Sequence, residues 1–402
     1  KQTMRAKNPP MGWNSWNTFG ANINEELIRQ TADVMVEEGY LAAGYEYLVI
    51  DDCWSLRERG ADGLLVPDPE KFPHGMKAVA DYVHAKGLKF GMYSCAGVRT
   101  CAGYPSSFDH EFVDALTFAD WGVDFLKYEF CNFPENGDCK MRYQTMSMAL
   151  KASGREILFS ACNWGVEEPW KWMRSIGAHM YRSTGDINDN FRSFTDIARS
   201  QIDNLCMNAP YGFNDMDMLT VGMYGQGNVG FNKGCTYEEY RMQFALWCLF
   251  GVPLMMGSDM RALDAQCAAL LKHPGLIAID QDEECRPPYL IRHGSIGMPV
   301  PDAAPGEPNW LSIPDCTYTF IRHLSGNEFV LAFFNLAGNC PNPADNACQQ
   351  SDIGLPYSSG VGLEMTDVFT GETLGVRRDD FVAHVPGHDC RLYRCRLVRC
   401  DG

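Results

Sequence analysis

Lys127 and Glu129 stand two residues apart at the end of the run Val123-Asp124-Phe125-Leu126. Side chains on a strand alternate between faces, so Lys127 and Glu129 share one side and Tyr128 takes the other. A cation and a carboxylate on an inward face are costly to bury and call for a chemical reason. The same pattern recurs. Tyr47-Leu48-Val49-Ile50 runs into Asp51 and Asp52, and Phe213 leads through Asn214 to Asp215 and Asp217. Acids at the ends of several apolar strands describe the mouth of a barrel enzyme. In chain order the polar and aromatic set is Trp16, Asp51, Asp52, Tyr93, Lys127, Glu129, Cys162, Trp164, Arg182, Asp186 and Asp217. Carboxylates beside aromatic rings suit a sugar, whose hydroxyls need acceptors and whose ring faces pack on aromatics. Two carboxylates suffice for glycoside hydrolysis, one attacking or activating water and the other protonating the leaving oxygen.

The elements that must carry these residues alternate through the first two-thirds of the chain. Expected strands are Pro10–Trp13, Tyr47–Asp51, Leu88–Tyr93, Phe125–Glu129, Ile157–Ala161, Met180–Ser183, Phe213–Asp217 and Pro253–Gly257. Amphipathic stretches lie between them, among them Glu25–Glu38, Met76–Lys86 and Tyr237–Phe250, the last preceded by Thr236 with Glu239 at capping-box spacing. The alternation predicts a (β/α)8 TIM barrel. A doubly wound sheet is the rival, but the Gly-rich phosphate turn often found after its first strand is missing here. After about Gln281 short strand-like runs take over, at Tyr318–Arg322, Glu328–Asn335, Gly362–Asp367 and Arg391–Val398, separated by Pro and Gly loops. They predict a C-terminal antiparallel β-sandwich. The expected domains are a catalytic barrel over 1–285 and a sandwich over 286–402.

The bulk properties exclude other classes. A net charge of −17 over 402 residues disfavours nucleic acid and anionic membranes, which need a basic face. No apolar run is long enough to span a bilayer, and Lys1-Gln2-Thr3-Met4-Arg5 has no signal-peptide core. The 17 cysteines leave at least one unpaired within the chain, and Cys248 and Cys267 sit in apolar runs typical of buried thiols. With no Cys-x-x-Cys spacing, neither a metal nor another cofactor is expected. The lack of an Asn-x-Ser/Thr sequon favours a cytoplasmic over a secreted setting. Nothing in the sequence sets an oligomeric state.

Four motifs, in this order, carry a resemblance: Pro10-Met11-Gly12-Trp13-Asn14-Ser15-Trp16-Asn17, Ile50-Asp51-Asp52-Cys53-Trp54, Arg182-Ser183-Thr184-Gly185-Asp186 and Asn214-Asp215-Met216-Asp217-Met218. The sequence resembles glycoside hydrolase family 27, the α-galactosidases and α-N-acetylgalactosaminidases, through the whole barrel and more weakly beyond it. The resemblance implies a retaining exo-glycosidase acting on a terminal α-linked galactose. It puts Glu129 at the nucleophile position and Asp186 at the general acid/base. Trp16 would pack on the sugar, and Asp51 and Asp52 would accept from hydroxyls around carbons 4 and 6. Tyr93, Lys127, Cys162, Trp164, Arg182 and Asp217 match further sugar-binding positions. Cys101 and Cys131 match an active-site disulfide, although two free thiols remain the alternative in a reducing compartment.

Two departures bear on function. The family nucleophile is normally Asp, and the extra methylene of Glu129 moves the carboxylate by roughly an ångström, an error that can cost about a hundredfold in rate unless the pocket has shifted to match. A non-catalytic galactoside-binding protein is therefore one alternative. The loop Cys162-Asn163-Trp164-Gly165-Val166 resembles the plant galactosidase form, and galactosaminidases tend to carry small residues where Asn163 and Val166 stand. That favours a free 2-hydroxyl over an α-N-acetylgalactosaminide, and Asp51 with Asp52 favours full galactose over a β-L-arabinopyranoside. Plainer readings are packing for Trp13 and Trp54, loop orientation for Asp215, a solvated strand face for Arg391, Arg394, Arg396 and Arg399, and a buried partner of Lys127 for Glu129.

Overall fold

A computed structural model describes residues 6–231, 234–338, 344–348, 350–356 and 359–400, so Lys1–Arg5, read above for a leader, lies outside the described residues. Packing divides the chain into two compact units. The first takes residues up to Thr236 together with Val252–Lys272, and the second takes Tyr237–Gly251 and His273 onward. The expected boundary at 285/286 falls just before the first strand of the antiparallel sheet at Tyr289, whereas packing puts the helices Tyr237–Phe250 and Pro274–Asp280 in the second unit.

Eight parallel strands build the first unit: β1 Met11–Asn14, β2 Tyr47–Val49, β3 Lys89–Cys95, β4 Phe125–Glu129, β5 Leu158–Cys162, β6 Met180–Arg182, β7 Phe213–Asp215 and β8 Leu254–Met256. Their order is β7-β6-β5-β4-β3-β2-β1-β8. The segment after β7 closes the ring through a parallel bridge from Leu219 to Met256, where the Leu219 amide donates to the Met255 carbonyl at 2.8 Å. Both faces of such strands are buried, which is why they read as short apolar runs.

The inward face is layered. Tyr47, Val49, Phe125, Leu158, Met180, Met218 and Met255 form one buried apolar cluster. Continuing along the same face by steps of two, β4 passes from Phe125 to Lys127 and Glu129, and β6 passes from Met180 to Arg182. Apolar packing at the base thus holds charged groups at the C-terminal rim. Crossover helices are fixed at their starts by side-chain caps. Asn24 accepts from the Leu27 amide at 2.8 Å, Asp138 from Met141 at 3.0 Å and Asn190 from Ser193 at 2.8 Å.

One backbone approach admits only glycine. A Cβ on Gly97 would collide with the Cys131 carbonyl oxygen and lie 2.7 Å from the carbonyl carbon of Asn132, and backbone cannot yield as a side chain can. Gly97→Ala is expected to destabilise the protein by about 1–3 kcal/mol through overpacking. A lowered denaturant midpoint at unchanged slope checks this, and an unchanged midpoint contradicts it.

The second unit carries β9 Tyr289–Pro299, β10 Trp310–His323, β11 Glu328–Asn335, β12 Ala344–Cys348, β13 Val361–Asp367, β14 Thr373–Arg377, β15 Phe381–Val385 and β16 Asp389–Arg399. A six-stranded antiparallel sheet of order β14-β13-β16-β11-β10-β9 faces the β12-β15 pair as a sandwich. Alternate residues Phe329, Leu331 and Phe333 of β11 pack with Phe381, Ala383 and Val385 of β15. Among the expected surface arginines, Arg394 and Arg396 both pair with Glu328 across the strands. Among the described residues no helix is long and apolar enough to cross a membrane.

Candidate active site

At the C-terminal rim of the parallel strands a cavity of about 300 Å³ opens. Its wall includes Trp16, Asp51, Asp52, Tyr93, Cys101, Lys127, Glu129, Arg182, Asp186 and Asp217. The structure therefore gathers ten of the residues singled out above around one space. Cys131, bonded to Cys101 with Cα atoms 5.0 Å apart, lies just outside that lining. Cys162 and Trp164 do not line it either. Cys162 is buried at the end of β5, and Trp164 reaches the site from outside, its Nε1 donating to Glu129 Oε2 at 2.9 Å.

Two ion-pair chains cross the floor. Lys127 Nζ donates to Asp51 Oδ2 at 2.8 Å and sits 3.6 Å from Glu129 Oε1. Asn14 Nδ2 donates to the same Asp51 oxygen at 2.9 Å. Arg182 pairs with Asp217 Oδ1 at 2.9 Å and through its other terminal nitrogen with Asp186. The Asp186 side chain is 76% exposed, whereas its Arg182 partner is 3% exposed. One carboxylate is thus sunk in the floor and the other stands at the solvent edge.

These environments set the charges. Burial lifts the Glu129 carboxyl above the ordinary glutamate range, and Lys127 and Arg182 pull it partly back. Burial also raises Asp52, against amide hydrogen bonds from Ala102 and Cys53. Burial alone would lower Lys127, but the Asp51 and Glu129 carboxylates more than offset it and hold its ammonium well above the usual range. Lys127 is therefore a fixed cation between two acids.

The strand ends that aim these groups are bent. Cys53, Trp164 and Asp217 take left-handed backbone, at φ of 74°, 56° and 74°, which non-glycine residues rarely adopt. Asp217 is held in place by the Ile187 amide on Oδ2 and the Met218 amide on Oδ1, both at 2.8 Å. Asp215 lies behind it, accepting from the Asp217 amide at 2.9 Å, outside the cavity and with its carboxyl pushed up by burial to about 6.

Trp13 and Trp54 act in packing. Each is buried, with its Nε1 donating to the carbonyl of Ser258 at 2.8 Å and Tyr93 at 3.0 Å respectively. Asn163 turns away from the cavity, its Nδ2 donating to the Val166 carbonyl at 2.7 Å, and Val166 is not in the lining. The Asn163 and Val166 side chains thus stand beside the cavity rather than among its lining residues. Asn17 and Met218, from the quoted motifs, also line the cavity, and so do Ile187, Asn188, Asn228, Val229 and Phe231, which the sequence reading did not single out. The glycines at 225, 227 and 230 were the available signal of a shaped loop there.

The comparisons with known proteins agree with this picture. A family model described as alpha galactosidase A matches residues 8–282, and one described as the alpha galactosidase C-terminal beta sandwich domain matches 315–395. An α-galactosidase of Oryza sativa subsp. japonica is 46% identical over 389 residues, covering 96% of this chain and 84% of that protein. Alpha-galactosidase 3 of Arabidopsis thaliana is 41% identical over 393 residues, covering 96% and 82%. The crystal structure of alpha-galactosidase I from Mortierella vinacea superposes with a TM-score of 0.85 at 30% identity, covering 98% of each chain. Matched in both of its units and along nearly its whole length, the chain belongs to glycoside hydrolase family 27 and is a glycoside hydrolase.

Proposed function

We propose that the protein is a retaining exo-α-galactosidase in which Glu129 is the nucleophile and Asp186 the general acid/base. The observation that carries this reading is the pairing of a buried carboxylate, held by Lys127 and Trp164, with an exposed one held by Arg182 around a single cavity. A cavity of about 300 Å³ is at the lower end of ligand pockets and suits one sugar ring, which fits removal of a terminal residue. The rice and Arabidopsis relatives are named α-galactosidases, which supports galactose as that ring.

Galactose enters with its ring against Trp16, and Asp51 and Asp52 accept from its hydroxyls at the floor. Glu129 attacks the anomeric carbon, forming a carbon–oxygen bond as the bond to the leaving oxygen breaks. Asp186 delivers its proton to that oxygen. Asp186 then takes a proton from water, which displaces Glu129 and restores the starting configuration. Lys127 balances charge on Asp51 and Glu129 throughout. The longer Glu129 is seated by the Trp164 indole and Lys127, so its extra methylene is accommodated by positioned partners.

Initial rates on nitrophenyl α-galactoside, α-N-acetylgalactosaminide and β-L-arabinopyranoside test the substrate. The galactoside is expected to be cleaved with the highest kcat/KM. A faster acetamido or arabinose substrate would overturn the sugar assignment, and galactose affinity without turnover of any of the three would identify a binding protein.

A further inference from the structure

Three potential metal ligands converge beside the cavity. The sulfurs of Cys101 and Cys131 and a carboxylate oxygen of Glu129 all lie within 4.8 Å of one another. Cys101 is exposed to solvent and Glu129 is buried, so the group spans from the surface to the floor. A closed disulfide offers no thiolate, and thiolate is the ligand form of cysteine. We propose that reduction of the Cys101–Cys131 disulfide creates a site for a thiophilic divalent cation such as zinc, with Glu129 as third ligand, and that the bound cation blocks the sugar cavity.

The two sulfurs stay together after reduction because hydrogen bonds that involve no sulfur hold the backbone on both sides. Asn132 Nδ2 donates to the carbonyls of Thr100 at 3.1 Å and Arg99 at 3.3 Å, and the Val98 amide donates to the Asn132 carbonyl at 3.1 Å. The Ala102 amide donates to Asp52 Oδ2, also at 3.1 Å. Zinc takes thiolate at about 2.3 Å and carboxylate at about 2.0–2.2 Å, with water completing the tetrahedron. The three ligand atoms start within 4.8 Å of one another and have to reach those distances by side-chain rotation. The cation competes with Lys127 and Trp164 for the Glu129 oxygens, so affinity falls below that of a closed structural zinc site.

The chemistry balances with a dithiol as reductant. Its two thiols close to a cyclic disulfide and deliver two electrons and two protons, opening Cys101–Cys131 to two thiols. Zinc then displaces one proton from each thiol into solvent. The metal site depends only on the three ligands. Its inhibitory effect rests on the proposed role of Glu129.

Oxidised protein, and protein reduced with dithiothreitol and freed of it without air, are titrated with zinc chloride. Bound zinc is counted against a chromophoric indicator, and nitrophenyl α-galactoside turnover is followed in parallel. The other described cysteines are present in both states, so the oxidised protein sets the baseline. Reduced protein is expected to bind one zinc more and to lose about tenfold in rate at ten times the dissociation constant, with recovery on adding EDTA. Cobalt in place of zinc should give a thiolate-to-metal charge-transfer band. Cys101→Ser and Cys131→Ser, each reduced and compared with its own zinc-free rate, should lose the extra ion. Equal zinc counts in oxidised and reduced protein, or an extra ion retained in Cys101→Ser, would overturn the site. An extra ion bound without loss of rate would overturn the block, whereas the role of Glu129 is decided separately by the rate of Glu129→Gln.

Discussion

Glu129→Gln is expected to lower kcat on nitrophenyl α-galactoside by on the order of 10⁴-fold or more, because it replaces the anionic nucleophile with a neutral amide while keeping the shape. The amide still accepts from the Trp164 indole that now donates to Oε2, so folding and galactose binding should persist. Equilibrium binding of galactose within a few-fold of wild type, measured beside the lost rate, separates chemistry from recognition. Glu129→Gly opens the same position to azide, which attacks from the vacated side and yields a galactosyl azide of inverted configuration. A fully active Glu129→Gln protein would pass the role to another acid, such as Asp52.

Lys127→Met should be damaging in two ways. It leaves Asp51 and Glu129, both buried, without the cation 2.8 Å and 3.6 Å away. Breaking a buried pair from one side costs about 3–5 kcal/mol, so a large drop in the unfolding midpoint is expected near neutral pH. The second effect is on titration. Burial already raises Glu129, and Lys127 is the largest influence lowering it. Without that cation the carboxyl climbs further, and the nucleophile is ionised only at higher pH. The acid limb of the kcat/KM profile, where activity falls as pH falls through the Glu129 titration, should therefore move upward in Lys127→Met. An unmoved limb would show that Glu129 does not govern it.

The fold was legible wherever a run was short, apolar and buried on both faces. Phe125–Glu129 and Glu328–Asn335 match the observed strands end to end. Elsewhere the barrel strands shift by a residue or two, because β1, β2 and β6 to β8 are only three or four residues long and their polar ends belong to loops. The missed strands are in the sandwich. Of the four, Tyr289–Pro299 is interrupted by Gly294 and Gly297 and Thr373–Arg377 is largely exposed, so neither carries an alternating apolar signal, whereas Ala344–Cys348 and Phe381–Val385 are only five residues long.

The site divides along the same line. Residues at strand ends, such as Asp51, Lys127 and Arg182, are visible because charge interrupts an apolar run. Phe231 and Asn228 come from the segment after β7, where no periodicity marks which side chains turn inward. Trp164 has left-handed backbone at φ 56° and its indole donates to Glu129, and no one-dimensional pattern encodes that turn. The Asn163 side chain likewise closes its own loop, a contact that sequence spacing does not mark.

The most direct test is proton NMR of galactose released from nitrophenyl α-galactoside by the wild-type protein, recorded before the anomers equilibrate. Double displacement through Glu129 predicts rapid turnover with α-galactose as the first-formed product. β-Galactose appearing first, or release no faster than with Asp186→Asn, would contradict it.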